Sequence, residues 1–204
     1  MKLRVPTRLT LLLSATLILA ACAAAPSQST IIRTLFELPA GHTGFRNMLV
    51  ISVAGDPESR ALMETRLVSA LTQDGGLASA YFTVVGRQTP LTRSRLETSI
   101  LSRQFDAVLL VRQKGQEQAD LVANRPVGQA FDLFGYDYAE LNYAASIAQA
   151  PAITFVTEVY AAASNQKVWA IDSLSFDKTT ATDLIEEQAL TIAAQLQKDR
   201  ILAP

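Results

Sequence analysis

Apolar and polar positions fall into blocks along the chain, and from residue 48 these blocks take the order of an α/β sheet. Met48 to Val53, "MLVISV", is a nearly continuous apolar run, the pattern of a short strand covered on both faces. In the following "GDPES", Asp56 is placed to cap a helix and Pro57 to fill its first turn, where no backbone donor is needed. Met63, Leu67, Ala70 and Leu71 then recur on one helical face until Gly75-Gly76 ends the segment. "YFTVV" (81–85) reads as a second strand. "LTRSRLETSILSRQ" reads as a second helix, with Thr92 as its cap and Leu91 and Leu96 spaced as a hydrophobic staple. "AVLLV" (107–111) is a third buried strand. Strand–helix–strand–helix–strand at these lengths predicts right-handed crossovers and parallel pairing.

The pattern then changes. "AITFVTEVYAA" (152–162) and "KVWAIDSLSF" (167–176) flank a short polar turn and predict an antiparallel hairpin that extends the sheet. Thr180 and Asp183 have the spacing of a capping box. Ile185, Ala189, Ile192 and Leu196 mark the buried face of the last helix, with Glu187, Thr191 and Lys198 on the wet one. The expected fold class is α/β: a single mixed sheet of about five strands, βαβαβ followed by a β-hairpin and a C-terminal helix, with the helices packed on the sheet. The domain runs over 48–204 and carries a long excursion at 115–151. Upstream, "IIRTLFEL" has the composition of a strand, and "PAGHTG" breaks whatever precedes it.

Residues 1–21 have a different pattern. Lys2, Arg4 and Arg8 precede an apolar stretch from Leu11 to Ala20, and small residues follow: the layout of a secretory signal peptide. The apolar stretch is about half of the roughly 20 residues that cross a bilayer as a stable helix. The chain's single cysteine stands at its end, in Leu19-Ala20-Ala21-Cys22, which resembles the lipobox of bacterial lipoproteins. That resemblance implies cleavage between Ala21 and Cys22, a diacylglycerol on the Cys22 thiol and an acyl chain on the new amino group. No other cofactor is expected. Residues 22–47 become a lipidated N-terminus and tether, "AAAPSQST" being small and polar. Ala23, rather than aspartate, follows the cysteine, so the resemblance implies an outer-membrane anchor facing the periplasm.

Composition sets bounds on the rest. With 49% hydrophobic and 18% charged residues the chain is globular, and one cysteine excludes an internal disulfide framework. The net charge of -1 includes the three leader cations. Without them, 15 basic side chains face 19 acidic ones, which does not favour nucleic acid as a partner.

Beyond the lipobox, the element order over roughly 48–202 and the stretch "YAAASNQKVWAIDSLSFD" resemble the small α/β domains of envelope lipoproteins and their relatives. These are the LpoB family of penicillin-binding-protein activators, the CsgG family of curli secretion lipoproteins and the N-terminal domain of the TolB family. The resemblance bears on fold rather than function.

Catalytic patterns are sparse. His42 is the only histidine, which excludes histidine-rich zinc sites, and it lies in the loop "AGHTG". No G-x-S-x-G, Walker or G-x-G-x-x-G pattern occurs. Ser164/Lys167 and Ser175/Lys178 match S-x-x-K but fall on or beside the hairpin rather than at a helix start. Two surfaces stand out as candidate partner-binding sites. Arg87, Arg93, Arg95 and Arg103 cluster with one acid, Glu97, and Arg93 and Arg95 sit near a helix N-terminus, where positive charge is mildly unfavourable. In the excursion, Phe131, Phe134, Tyr136, Tyr138 and Tyr143 gather in thirteen positions. That is too many rings for an ordinary disordered linker, so the segment either folds back onto the sheet or presents its aromatics to a partner.

The leading expectation is a membrane-anchored, non-enzymatic binding or assembly-accessory module of the envelope. It would meet the bilayer through Cys22 and an envelope protein through its surface. A hydrolase using a carboxylate pair such as Asp132 and Asp137, and a carrier of a small apolar ligand, are the alternatives.

Overall fold

A computed structural model describes residues 30–38, 41–54, 56–73, 75–114, 152–176 and 180–203. The leader with Ala21 and Cys22, the excursion with its five aromatics, Asp132 and Asp137, and Lys178 lie outside the described residues.

The elements are β1 (Thr30–Phe36), β2 (Asn47–Val53), α1 (Pro57–Thr72), β3 (Leu77–Ala80), α2 (Tyr81–Val85) and α3 (Arg93–Arg103). After them come β4 (Ala107–Lys114), β5 (Ala152–Ala161), β6 (Lys167–Phe176) and α4 (Ala181–Lys198). They form one mixed sheet in the order β1-β6-β5-β4-β2-β3, with helices packed on it. Strand β2 pairs parallel with β3 and β4, as the crossovers require. Strands β4, β5, β6 and β1 pair antiparallel. The fold class is thus the α/β sheet expected, with six strands instead of about five. The sixth is β1, the "IIRTLF" run, which lies along β6 from Thr30↔Ser175 to Phe36↔Ala170 with a bulge between Thr34 and Phe36.

Two apolar layers hold the sheet. On one face Met63, Leu67 and Leu71 of α1 and Leu184, Ile185, Ile192 and Leu196 of α4 pack with Met48, Val50, Leu109, Val159 and Trp169. On the other, Tyr81, Leu91, Leu96 and Ile100 pack with Leu49, Ile51, Val108 and Leu110. The strands β2 and β4 feed both layers, which is why their sequences are apolar at successive positions rather than at alternate ones.

Asp56 and Thr180 cap their helices through their side chains as expected, whereas Thr92 stands at the N-cap of α3 without a side-chain cap bond. The Asp56 carboxylate accepts the N–H of Ser59 at 2.6 Å with Pro57 at the first helical position. Thr180 Oγ1 accepts the N–H of Asp183 at 3.0 Å. Leu91 and Leu96 are both buried, as a staple requires. In the hairpin turn Asn165 takes φ 58°, a left-handed conformation its short polar side chain tolerates.

One element corrects the expectation. "YFTVV" (81–85) is not a strand: β3 lies four residues earlier, and the chain turns into α2 at Tyr81. The ladder from β2 to β3 ends at Val50↔Ala80, and the next donor, Phe82 N–H, goes to the Glu64 carboxylate at 2.9 Å. A tertiary acceptor thus takes the backbone group that a longer ladder would have used, and it outweighs the β-forming composition of the run.

Candidate anion-binding groove

The site grows out of two buried charges on α1. Arg60, Glu64, Leu67 and Leu71 share one face of that helix, and Glu64 is fully buried. Its two oxygens accept different donors: Oε1 takes Ser52 N–H at 3.1 Å, at the end of β2, and Oε2 takes Phe82 N–H. Ala80, at the N-cap of α2, has no side-chain acceptor, so Glu64 caps that helix from a neighbouring one. Burial raises the Glu64 carboxyl to about 7, against the opposing pull of the Phe82 and Ser52 N–H groups, the Arg60 charge and the Tyr81 N–H. Tyr81 is fully buried, and its hydroxyl has no hydrogen-bond partner among the described residues. Its pKa is raised, chiefly by burial, with Arg95 and Arg60 pulling it down.

The Arg60 guanidinium reaches the loop after α2, donating to the carbonyls of Arg87 and, at 3.3 Å, of Thr89. Gly86 begins that loop at φ 101°, where an L side chain would be strained, and a Cβ there would stand 3.1 Å from Thr89 Oγ1. Arg87 is held outside the loop by Glu58 at 2.7 Å and lies over the Phe82 ring, 5.3 Å from its centroid. The spacing between α2 and α3 is therefore fixed from below by α1.

Between α2 and α3 lies an open groove of about 490 Å³. One side is Val84 and Val85; the other is a face of α3 in which Arg95, Thr98, Ser99, Ser102 and Arg103 follow one another at helical spacing. The opposite face of α3 sends Leu96 and Ile100 into the core. Ser99 and Thr98 donate their hydroxyls to carbonyls one turn back, at 2.7 and 2.8 Å. The charges in the groove are the two arginines.

The structure sorts the four clustered arginines. Arg87 pairs with Glu58, and Arg93 with Glu97 at 2.9 Å on the solvent side of α3. Arg95 and Arg103 have no carboxylate within ion-pair distance among the described residues, and both line the groove. Of the predicted pair, Arg95 thus joins the site and Arg93 does not line it. Sequence reasoning missed Glu64, Arg60 and Tyr81 as the groove's support. The signal was present, because extending the Leu67–Leu71 stripe back by one and two turns reaches Glu64 and Arg60.

The other polar residues lie elsewhere. His42 Nδ1 accepts the N–H of Gly44 at 3.0 Å, its ring 4.5 Å from that of Phe45, beside a hollow of about 420 Å³ that Leu71, Gln197 and Leu202 also line. Lys167, of the first S-x-x-K match, pairs with buried Glu158 at 2.5 Å, and Ser175, of the second, takes a hydrogen bond from Gln188. Among the described residues no three His, Cys, Asp or Glu side chains gather as metal ligands, and no helix is long and apolar enough to cross a membrane.

No family model and no curated protein sequence matches the chain. Solved structures do. The PelC dodecamer of Paraburkholderia phytofirmans, in two crystal forms, is similar over 86% of this chain and 99% of that one, at 13% and 10% identity and a TM-score of 0.47. Lipoprotein GNA1162 of Neisseria meningitidis is similar over 74% of this chain and 96% of its own, at 9% identity and a TM-score of 0.39.

Proposed function

We propose that the protein is a lipid-anchored, periplasm-facing binding module of the cell envelope, and that it recognises an anionic group in the α2–α3 groove. The observation that carries this reading is the groove face of α3. It presents two exposed guanidiniums, Arg95 and Arg103, without a described carboxylate to neutralise either. Guanidinium forks suit carboxylate and phosphate, which are abundant in envelope glycans, lipid headgroups and acidic protein surfaces. The address rests on the leader of residues 1–21 and on acyl chains at Cys22. We read the role as binding or assembly support; in the groove the hydroxyls of Ser99 and Thr98 bond helix carbonyls, and the single histidine stands elsewhere. The negative net charge, and the pairing of Arg87 with Glu58 and of Arg93 with Glu97, support a small anionic group rather than nucleic acid as the ligand.

The test has two arms. Intact mass of protein from its native host should show cleavage before Cys22 and added acyl chains; a bare thiol there removes the address. Calorimetric titration with soluble peptidoglycan fragments and with inorganic phosphate should give binding that weakens as salt rises. The double variant Arg95→Ala/Arg103→Ala should lose at least tenfold in affinity, while Arg93→Ala stays within about twofold. Equal losses in both, or none in the double variant, would remove the groove from the argument.

A further inference from the structure

The chain has six exposed large apolar side chains among the described residues, and their distribution is uneven. Leu77, Leu101 and Leu190 stand singly on β3, α3 and α4, but Ile31, Leu35 and Phe36 all lie on the seven-residue strand β1. Single exposed leucines are ordinary; three in one short edge strand are not. Between them stands Arg33, whose side chain is 66% exposed while its guanidinium meets Asp172 at 2.5 Å. Among the described residues the outer edge of β1 has no strand beyond it in the sheet, which leaves backbone groups and apolar side chains together on one rim.

Few residues separate this strand from Cys22, the proposed point of acylation. Eight residue steps separate Cys22 from Thr30, where β1 starts. Fully extended, they span at most about 26–29 Å. A domain of this size is roughly 40 Å across. The rim of β1 therefore stays within one tether length of the lipid, whereas the opposite rim, β3, is five strand spacings or roughly 24 Å further away. We propose that the β1 edge is a bilayer-contacting surface, with Ile31 and Leu35 entering the headgroup region and the Arg33 stem lying along it. Long cationic side chains flanked by aliphatic ones suit that boundary. The inference rests on acylation of Cys22, and it fixes which way the domain faces: β1 towards the lipid, with the α2–α3 groove on the side of β2 and β3, open to the periplasm.

Once Cys22 is acylated the chain has no other thiol, so an introduced cysteine is a unique labelling site. The full-length protein would carry Ile31→Cys, Leu35→Cys or, at the far rim, Leu77→Cys, each labelled with an environment-sensitive fluorophore. Each would be inserted into vesicles of phosphatidylethanolamine and phosphatidylglycerol containing nitroxide-bearing lipid. The labels at 31 and 35 should be quenched at least threefold more than the label at 77. Equal quenching at both rims, or stronger quenching at 77, overturns the proposal. So does sedimentation showing that the label at 31 is buried against a second copy of the chain. The mass of each labelled protein separates the two readings. A bare Cys22 removes the anchor and this inference together, while acylated protein with equal quenching removes the inference alone.

Discussion

Glu64 is a carboxylate placed where water cannot reach it, with two backbone donors and one guanidinium arranged around it. Those neighbours favour the charged form, burial favours the neutral one, and burial wins: the group titrates at about 7 in the folded chain against 4.5 when unburied. Between those values the folded state holds a proton that the unfolded state has released. Stability is then fully present below about pH 4.5 and declines as pH rises through about 7, by on the order of 3 kcal/mol at most. Urea unfolding at pH 5 and pH 8 should show the decline, and Glu64→Gln, which cannot ionise, should flatten it. A slope unchanged in the Gln variant would assign the titration to another group. Nothing in the residue type announced this. A glutamate on a helix reads as solvated until its position on the Leu67–Leu71 stripe is weighed, and that stripe continues through Glu64 to Arg60.

Among the elements, those whose residues all favour the same structure were legible. Met48–Val53 and Ala107–Val111 are apolar at every step except Ser52 because the strands β2 and β4 lie between two helical layers. Helix α4 repeats its apolar residues at helical spacing and opens on Thr180, whose hydroxyl bonds Asp183 twice, accepting from its N–H and donating to its carboxylate. Because that cap satisfies an N–H with no helical partner, Thr180→Ala should cost about 1 kcal/mol in a denaturation midpoint and leave the spectrum of the folded state unchanged. A loss above about 3 kcal/mol would mean that Thr180 supports more than the helix start. "YFTVV" was misread for the opposite reason. Its branched and aromatic residues favour a strand, while the acceptor that bends it into α2 comes from a helix eighteen residues earlier. The groove was half legible: the arginines were visible as a cluster, but which of them find carboxylates depends on Glu58, across the loop on α1.

At the scale of the whole molecule, β1 decides how the sheet ends. It contributes no residue to the two buried clusters, and Ile32 alone of its side chains packs partly against them. What it supplies is the ladder to β6, a hydroxyl contact, Thr30 to Ser175 at 2.8 Å, and Arg33 as the ion-pair partner of buried Asp172. A chain starting at Glu37 should therefore keep its fold, losing on the order of 1–3 kcal/mol in stability as the ladder and the partial burial of Ile32 go. It should also behave differently in concentrated solution. Without β1 the long strand β6 becomes the rim, with ten residues of backbone on offer, and such edges recruit another chain. Sedimentation of the truncated protein should show concentration-dependent dimers that the parent lacks, with matching far-ultraviolet circular dichroism. If the truncated chain is unfolded, β1 is part of the folding core; if it is folded and monomeric at high concentration, the β6 edge is protected by something other than β1. Either way the experiment reads how far β1 closes the sheet against other chains.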